Sequence, residues 1–146
     1  MQSDAIHGDL SDSEWAAFIT KLEAAELEFA HGRPAAFKDL WSHSDDVSIC
    51  GAFGGVESGW DKVASRLDWA SSQFSEGTRS REEIRSAVGA EFAYLVQTEH
   101  IRFRVPGRTE ESTLDLRVTM VFWREDDGWR IVHRHADSQR STELPE

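Results

Sequence analysis

Apolar residues recur at three- and four-residue intervals up to about residue 75, and at every second position thereafter. The first spacing predicts helices and the second predicts strands. Trp15, Phe18, Ile19, Leu22 and Phe29 trace one helical face. Ser11-Asp12-Ser13-Glu14 precedes them as a capping box, with Ser11 as N-cap and Glu14 at the third helical position. His31-Gly32 closes the helix, because glycine tolerates the left-handed terminus. Pro34 suits the first turn of a second, short helix over residues 34–41, whose apolar side is Phe37, Leu40 and Trp41. Residues 47–53 (VSICGAF) form a strand candidate interrupted by Gly51, and residues 54–59 (GGVESG) form a loop. Trp60, Val63, Ala64, Leu67 and Phe74 predict a third helix over 60–75, with Ser58 and Asp61 as a weaker capping box and Gly77 as its end.

The second half reads differently. Residues 79–88 alternate weakly as far as Gly89. Residues 90–105 are rich in β-formers and end at the turn signal Pro106-Gly107. Residues 110–125 alternate clearly, with Leu114, Leu116, Val118, Met120 and Phe122 on one face. The turn EDDG leads to a last strand over 129–138. Helices followed by antiparallel strands make this an α+β chain. Without an internal repeat or linker, it divides into a flexible N-terminus at 1–10, one domain at 11–138 and a tail at 139–146.

The last strand, GWRIVHRHAD, raises the chemical question. Period-two alternation puts Trp129, Ile131, His133, His135 and Asp137 on one face. If the Asp126-Asp127 turn pairs Phe122 with Ile131, then Met120 lies opposite His133 and Val118 opposite His135. The histidines would then end the core-facing surface, beside any space between sheet and helices. Arg117, Thr119, Arg130 and Arg134 would take the reverse face. A one-residue slip in register would exchange the two faces.

Composition narrows the function classes. The chain has 146 residues, 39% of them hydrophobic and 29% charged, which fits one globular domain. Six tryptophans and eight phenylalanines are enough to wall a pocket as well as a core. The net charge of −11 argues against a nucleic-acid partner. Only three of the sixteen basic residues are lysine, so the other thirteen, all arginine, leave a local anion site open. The single cysteine, Cys50, excludes an internal disulfide and lies in an apolar run, as a buried inert thiol would. No apolar run approaches the ~18 residues of a membrane helix, and no signal peptide is visible, so a cytoplasmic protein without a membrane partner is expected.

Three segments together resemble a known family. They are AHGRPAAFKDLWSHSDDVSICG, GGVESGWDKV and RVTMVFWREDDGWRIVHRHAD, in that order along residues 11–138. The chain is similar to the SnoaL-like, ketosteroid-isomerase-like members of the nuclear transport factor two-like superfamily. The resemblance implies a cystatin-like cone in which N-terminal helices pack on a curved antiparallel sheet. It also implies a conical pocket for a small apolar or aromatic molecule, and a homodimer packed through the sheet. That family includes isomerases, cyclases, dehydratases and non-catalytic association domains, so fold does not settle function.

The family's steroid isomerases need a tyrosine and two acids, and the matching positions here are Ala25, Gly51 and Met120. These residues argue against steroid isomerase activity. The polyketide cyclases use an acid–base group near the end of the last strand, which points to His135 and Asp137 as the catalytic pair of an isomerase, cyclase or dehydratase needing no cofactor. The alternative is a non-catalytic binding or dimerisation module, with satisfied histidines and a solvated Asp137. Trp41, Phe53, Trp60, Met120 and His133 are the substrate-binding candidates, with Trp69, Phe92, Tyr94 and His43 as weaker ones. Arg102, Arg104, Arg117 and Arg134 suit a carboxylate, although Arg117 and Arg134 fall on the predicted outer face. A metal held by His133, His135 and Asp137 is disfavoured, because the outer two lie ~13 Å apart along a strand.

Overall fold

The structure, a computed structural model, describes residues 9–139, and the side chains of residues 13–139. Helix α1 (Asp9–Ala30) buries Phe18, Leu22, Ala25, Glu26 and Ala30 along one stripe. It is already helical at Ser11, so the proposed capping box does not mark its start. Its other end is a Schellman turn. The Arg33 N–H donates to the Glu28 carbonyl and the Gly32 N–H to that of Phe29, both at 3.0 Å, with Gly32 at φ +83°. Helix α2 (Ala35–Asp39) follows.

The segment after α2 holds two short strands, β1 (Ser48–Cys50) and β2 (Val56–Ser58). The second occupies what the sequence suggested as a loop. Helix α3 (Trp60–Ser71) is shorter than the expected 60–75. Gly59, at φ +89°, is its N-cap and no side chain caps it, so Ser58 does not have the expected capping role. The Ser71 hydroxyl ties the end of α3 to α1 by donating to the Phe29 carbonyl at 2.9 Å.

Four long strands complete the chain: β3 (Ser75–Val88), β4 (Phe92–Arg104), β5 (Glu111–Glu125) and β6 (Gly128–Ser138). The sheet order is β2-β1-β6-β5-β4-β3. The pairings are antiparallel except for β1 on β6, which is parallel. Register shifts in β3 after Ser75 and after Glu83 bend that strand around the helices. Among the described residues, no helix is long and apolar enough to cross a membrane.

Gly77 lies within β3 and does not end α3. A Cβ at this position would sit 2.5 Å from the Ala30 carbonyl oxygen and 2.7 Å from the Ala30 Cβ. Both obstacles belong to the end of α1, which its own turn fixes. Gly77→Ala is therefore expected to destabilise the fold by about 2–3 kcal/mol, measured by urea unfolding.

The feature that decides the site is a bulge in β6. Ile131 pairs with Phe122, as the sequence suggested, but His133 pairs with Val121, leaving Val132 as an extra residue. The other edge of β6 changes partner at the same place. Ile131 exchanges hydrogen bonds with Leu40 and Ser42 at 2.9 Å, whereas His133 lies beside Ser48 of β1. Ile131 and Val132 are both buried, and the alternation inverts after them. Arg134 and Ala136 now lie opposite Met120 and Val118 on the inner face. His133, His135 and Asp137 lie opposite Val121, Thr119 and Arg117 on the outer face.

Trp129 stays on the inner face. Its ring packs against Trp15 at 5.4 Å, and Trp15 also meets the edge of Phe122 at 5.0 Å. These aromatics close one end of the space between α1 and the sheet. The other end stays open.

Candidate functional site

A cavity of about 80 Å³ lies between the helices and the inner face of the sheet. One buried water occupies ~10–15 Å³ on this scale, so the space holds several waters or part of a small organic molecule. Phe29, Phe37, Ile49, Leu67, Phe74 and Ile101 give it apolar walls. Phe53 and Arg66 stand at its exposed side, where the Arg66 guanidinium packs on the Trp69 ring at 4.6 Å and donates to the Gly54 carbonyl. Its floor is charged and consists of Glu26, Arg79, Glu99 and Arg134.

Each floor residue comes from a different element. Glu26 sits on the apolar stripe of α1, four residues after Leu22 and three before Phe29. Glu99 follows Leu95 and Gln97 on the inward face of β4, Arg79 comes from β3, and the bulge turns Arg134 inward from β6. Glu99 is the hub. It meets Arg134 at 3.2 and 3.3 Å, Arg79 at 3.2 Å and the Gln97 amide at 2.6 Å. Arg81 extends the network outward, donating to Gln97 at 3.1 Å and to Glu23 at 2.7 Å.

Glu26 is held differently. Arg79 approaches one of its oxygens at 3.1 Å and Arg134 the other at 3.8 Å, yet neither oxygen has a hydrogen bond of acceptable geometry. Nη2 of Arg79 is likewise without one. Glu26 is 6% exposed. Burial pushes its pKa up to about 7, and the Glu99 charge adds to this against the opposing pull of Arg79 and Arg134. Burial also works to raise Glu99, but Arg134 and Arg79, with hydrogen bonds from Arg134 and Gln97, overcome it and bring Glu99 down to about 2. Two carboxyl groups in one site are thus driven apart, one held ionised at neutral pH and one able to exchange a proton near neutrality. With Glu26 protonated, the floor carries two guanidinium charges against one carboxylate.

The outward turn of β6 corrects the expected site. His135 and Asp137 are on the face opposite the cavity. Asp137 accepts two 2.9 Å bonds from Arg117, which holds its carboxyl below the usual range. His133 is also outside, with its Nδ1 2.8 Å from the Ser48 hydroxyl. Burial, and secondarily the nearby His135, lowers its pKa.

Of the other substrate-binding candidates, Phe53 lines the cavity. Trp41 is buried in the core beside Phe37, and Trp60 stacks on His43 with ring centroids 4.0 Å apart. Met120 lies under the floor, its sulfur 3.8 Å from Arg134. Phe92 and Tyr94 are exposed, and Trp69 backs Phe53 from outside. Among the arginine candidates, Arg102 pairs with Glu111 and Arg117 with Asp137 on the surface, while Arg134 belongs to the floor after all. Cys50 is half-buried on the outer face, not enclosed in the core.

Glu26, Arg79 and Glu99 were not singled out by the sequence. Glu26 and Glu99 had a visible signal, a carboxylate placed in phase with an apolar stripe. Arg79 had none, because β3 alternates weakly.

The same fold recurs widely among solved structures. A candidate dehydratase of the nuclear transport factor two-like family from Streptomyces avermitilis is 20% identical, with 91% of this chain and 99% of that one covered at a TM-score of 0.75. A type 2 hexachlorocyclohexane dehydrochlorinase is 15% identical, with 94% of each chain covered at 0.73. A candidate calcium/calmodulin-dependent protein kinase II association domain from Thiobacillus denitrificans is 19% identical, with 86% and 94% covered at 0.68. No curated protein matches the chain significantly by sequence. The family description of the SnoaL-like domain matches residues 17–138, the span from early α1 to the end of β6, and the chain therefore belongs to the SnoaL-like family.

Proposed function

We propose that this protein binds a small organic anion in the cavity and transfers a proton to or from it through Glu26. The reaction class is an isomerisation, cyclisation or dehydration of the general acid–base kind. One observation carries the reading: a buried carboxyl without a hydrogen bond, titrating near neutrality, at the end of an apolar cavity and facing two guanidiniums. A proton-transfer group works best with a pKa near the operating pH. Arg79 and Arg134 would hold the ligand's carboxylate, or an enolate oxygen as charge develops there. The dehydratase and dehydrochlorinase among the structural neighbours are in keeping with proton abstraction on this fold.

A second reading is binding without catalysis. It is favoured by the hub role of Glu99, which already engages both arginines. Solvent-deuterium exchange separates the two. A catalyst incorporates deuterium next to the carbonyl of a bound keto acid and loses this with Glu26→Gln, whereas a binding module incorporates none.

Anion affinity supplies a further prediction. Protonated Glu26 leaves excess positive charge on the floor, so binding of a small aromatic carboxylate such as benzoate is expected to be flat between about pH 5, where the ligand is still ionised, and about pH 6. It should weaken toward tenfold per pH unit above about 7, as one proton is taken up with each anion. Calorimetric titration across this range checks it, and pH-independent binding would count against the site. We further propose a homodimer through the outer sheet face, where Phe92 and Tyr94 are exposed. Sedimentation velocity tests it, with a monomer as the contrary result.

A further inference from the structure

The outer face of β1 and β6 gathers a second set of groups that the cavity does not use. The two strands run parallel, with Ser48 beside His133 and Cys50 beside His135. Ile49 is buried, so Ser48 and Cys50 point the other way, to the face of the two histidines. The Cys50 sulfur and one ring nitrogen of each histidine all lie within 4.8 Å of one another. Donors around a tetrahedral zinc ion sit ~3.3–3.7 Å apart, given bonds of ~2.0–2.3 Å, so side-chain rotation of about 1 Å would close the set.

The surroundings suit an ion. The Ser48 hydroxyl engages Nδ1 of His133 at 2.8 Å, which leaves Nε2 to serve as a ligand and fixes the ring. Cys50 is a free thiol, half-buried, with His135 exposed beside it. The third ligand is thus not Asp137, which Arg117 holds, but a cysteine brought in by the parallel strand pairing.

We propose that Cys50, His133 and His135 bind a zinc-class transition-metal ion, with the fourth position open to water or an outside ligand. One thiolate and two imidazoles form a borderline-soft set that suits zinc and disfavours magnesium or calcium. Binding displaces the thiol proton of Cys50 to solvent. The ion fastens the three-residue strand β1 to β6. It also steadies the segment just after Cys50, where Gly51, Ala52 and Phe53 line the cavity.

The test is a titration of the reduced, chelator-stripped full chain with zinc(II) against a chromophoric chelator. One zinc per chain is expected, and Cys50→Ser and His135→Ala should each weaken binding by well over tenfold, with Ser48→Ala weakening it about tenfold. Cobalt(II) in place of zinc should give a thiolate-to-metal charge-transfer band that Cys50→Ser abolishes. Far-ultraviolet circular dichroism of each variant confirms folding. The proposal is overturned if zinc fails to bind with one-to-one stoichiometry, or if binding persists undiminished in folded Cys50→Ser.

Discussion

Glu99→Ala is expected to destabilise the protein by about 3–5 kcal/mol in urea unfolding at neutral pH, the largest effect foreseen for a single side chain. Glu99 is 2% exposed and is the shared partner of Arg79 and Arg134, whose side chains are 8% and 14% exposed. Its removal leaves two buried guanidiniums facing each other, with Glu26, 3.1 Å from Arg79 and 3.8 Å from Arg134, as the one buried carboxyl left between them. The Gln97 amide loses its acceptor as well. Asp137→Asn is the control. It also breaks a carboxylate–arginine pair, but an exposed one, and stability should barely change. A Glu99→Ala variant as stable as the wild type would mean that the floor does not form. A Glu99→Leu, Arg134→Met double variant should recover part of the loss, because burying a pair costs more than burying apolar groups, while breaking one costs most.

Glu26→Gln is expected to have the second large effect, visible in the pH dependence of stability. The folded-state pKa of Glu26 is raised from 4.5 to about 7. Its contribution is therefore fully present below about pH 4.5 and is lost as pH rises through 7, on the order of 3 kcal/mol. Glu99 acts in the opposite sense. Its pKa is lowered, so its contribution is present above about pH 4.5 and is lost as the pH falls toward 2. The difference in stability between wild type and Glu26→Gln should hence shift against the wild type between pH 4.5 and 8. A constant difference over this range would remove the case for a raised Glu26. On the proposed chemistry, the same variant should slow carbonyl proton exchange by about 100-fold or more.

The bulge at Val132 explains why strand periodicity led to the fold but set His133, His135 and Asp137 on the wrong face of β6. On β5 the alternation from Leu114 to Phe122 was sound, and Leu116, Val118, Met120 and Phe122 are buried as it predicted. On β6 the same rule held as far as Ile131 and then failed. One extra residue inverted every position after it, so that Arg134 entered the cavity floor and His135 and Asp137 left it. The only visible sign was the adjacent pair Ile131-Val132 followed by Ala136, apolar residues on both parities of one strand. The change of neighbour that accommodates the bulge, from the Leu40–Ser42 segment to β1, is a tertiary event that strand periodicity does not record. The helices were more legible because their apolar stripes are long, although their ends were not. Glu26 was visible as a carboxylate within such a stripe. What it faces depends on Arg79 and Arg134 arriving from strands about fifty and a hundred residues further along the chain.

The chemical claim rests on one carboxyl group whose proton is exchangeable near neutrality, and carbon-13 NMR of the glutamate side-chain carboxyls observes it directly. Between pH 4 and 9, one resonance should titrate with a midpoint near 7 and be missing from the Glu26→Gln spectrum, while that of Glu99 should show no midpoint in this range. A spectrum in which every titrating glutamate has its midpoint below about pH 5 would contradict Glu26 as the proton-transfer group.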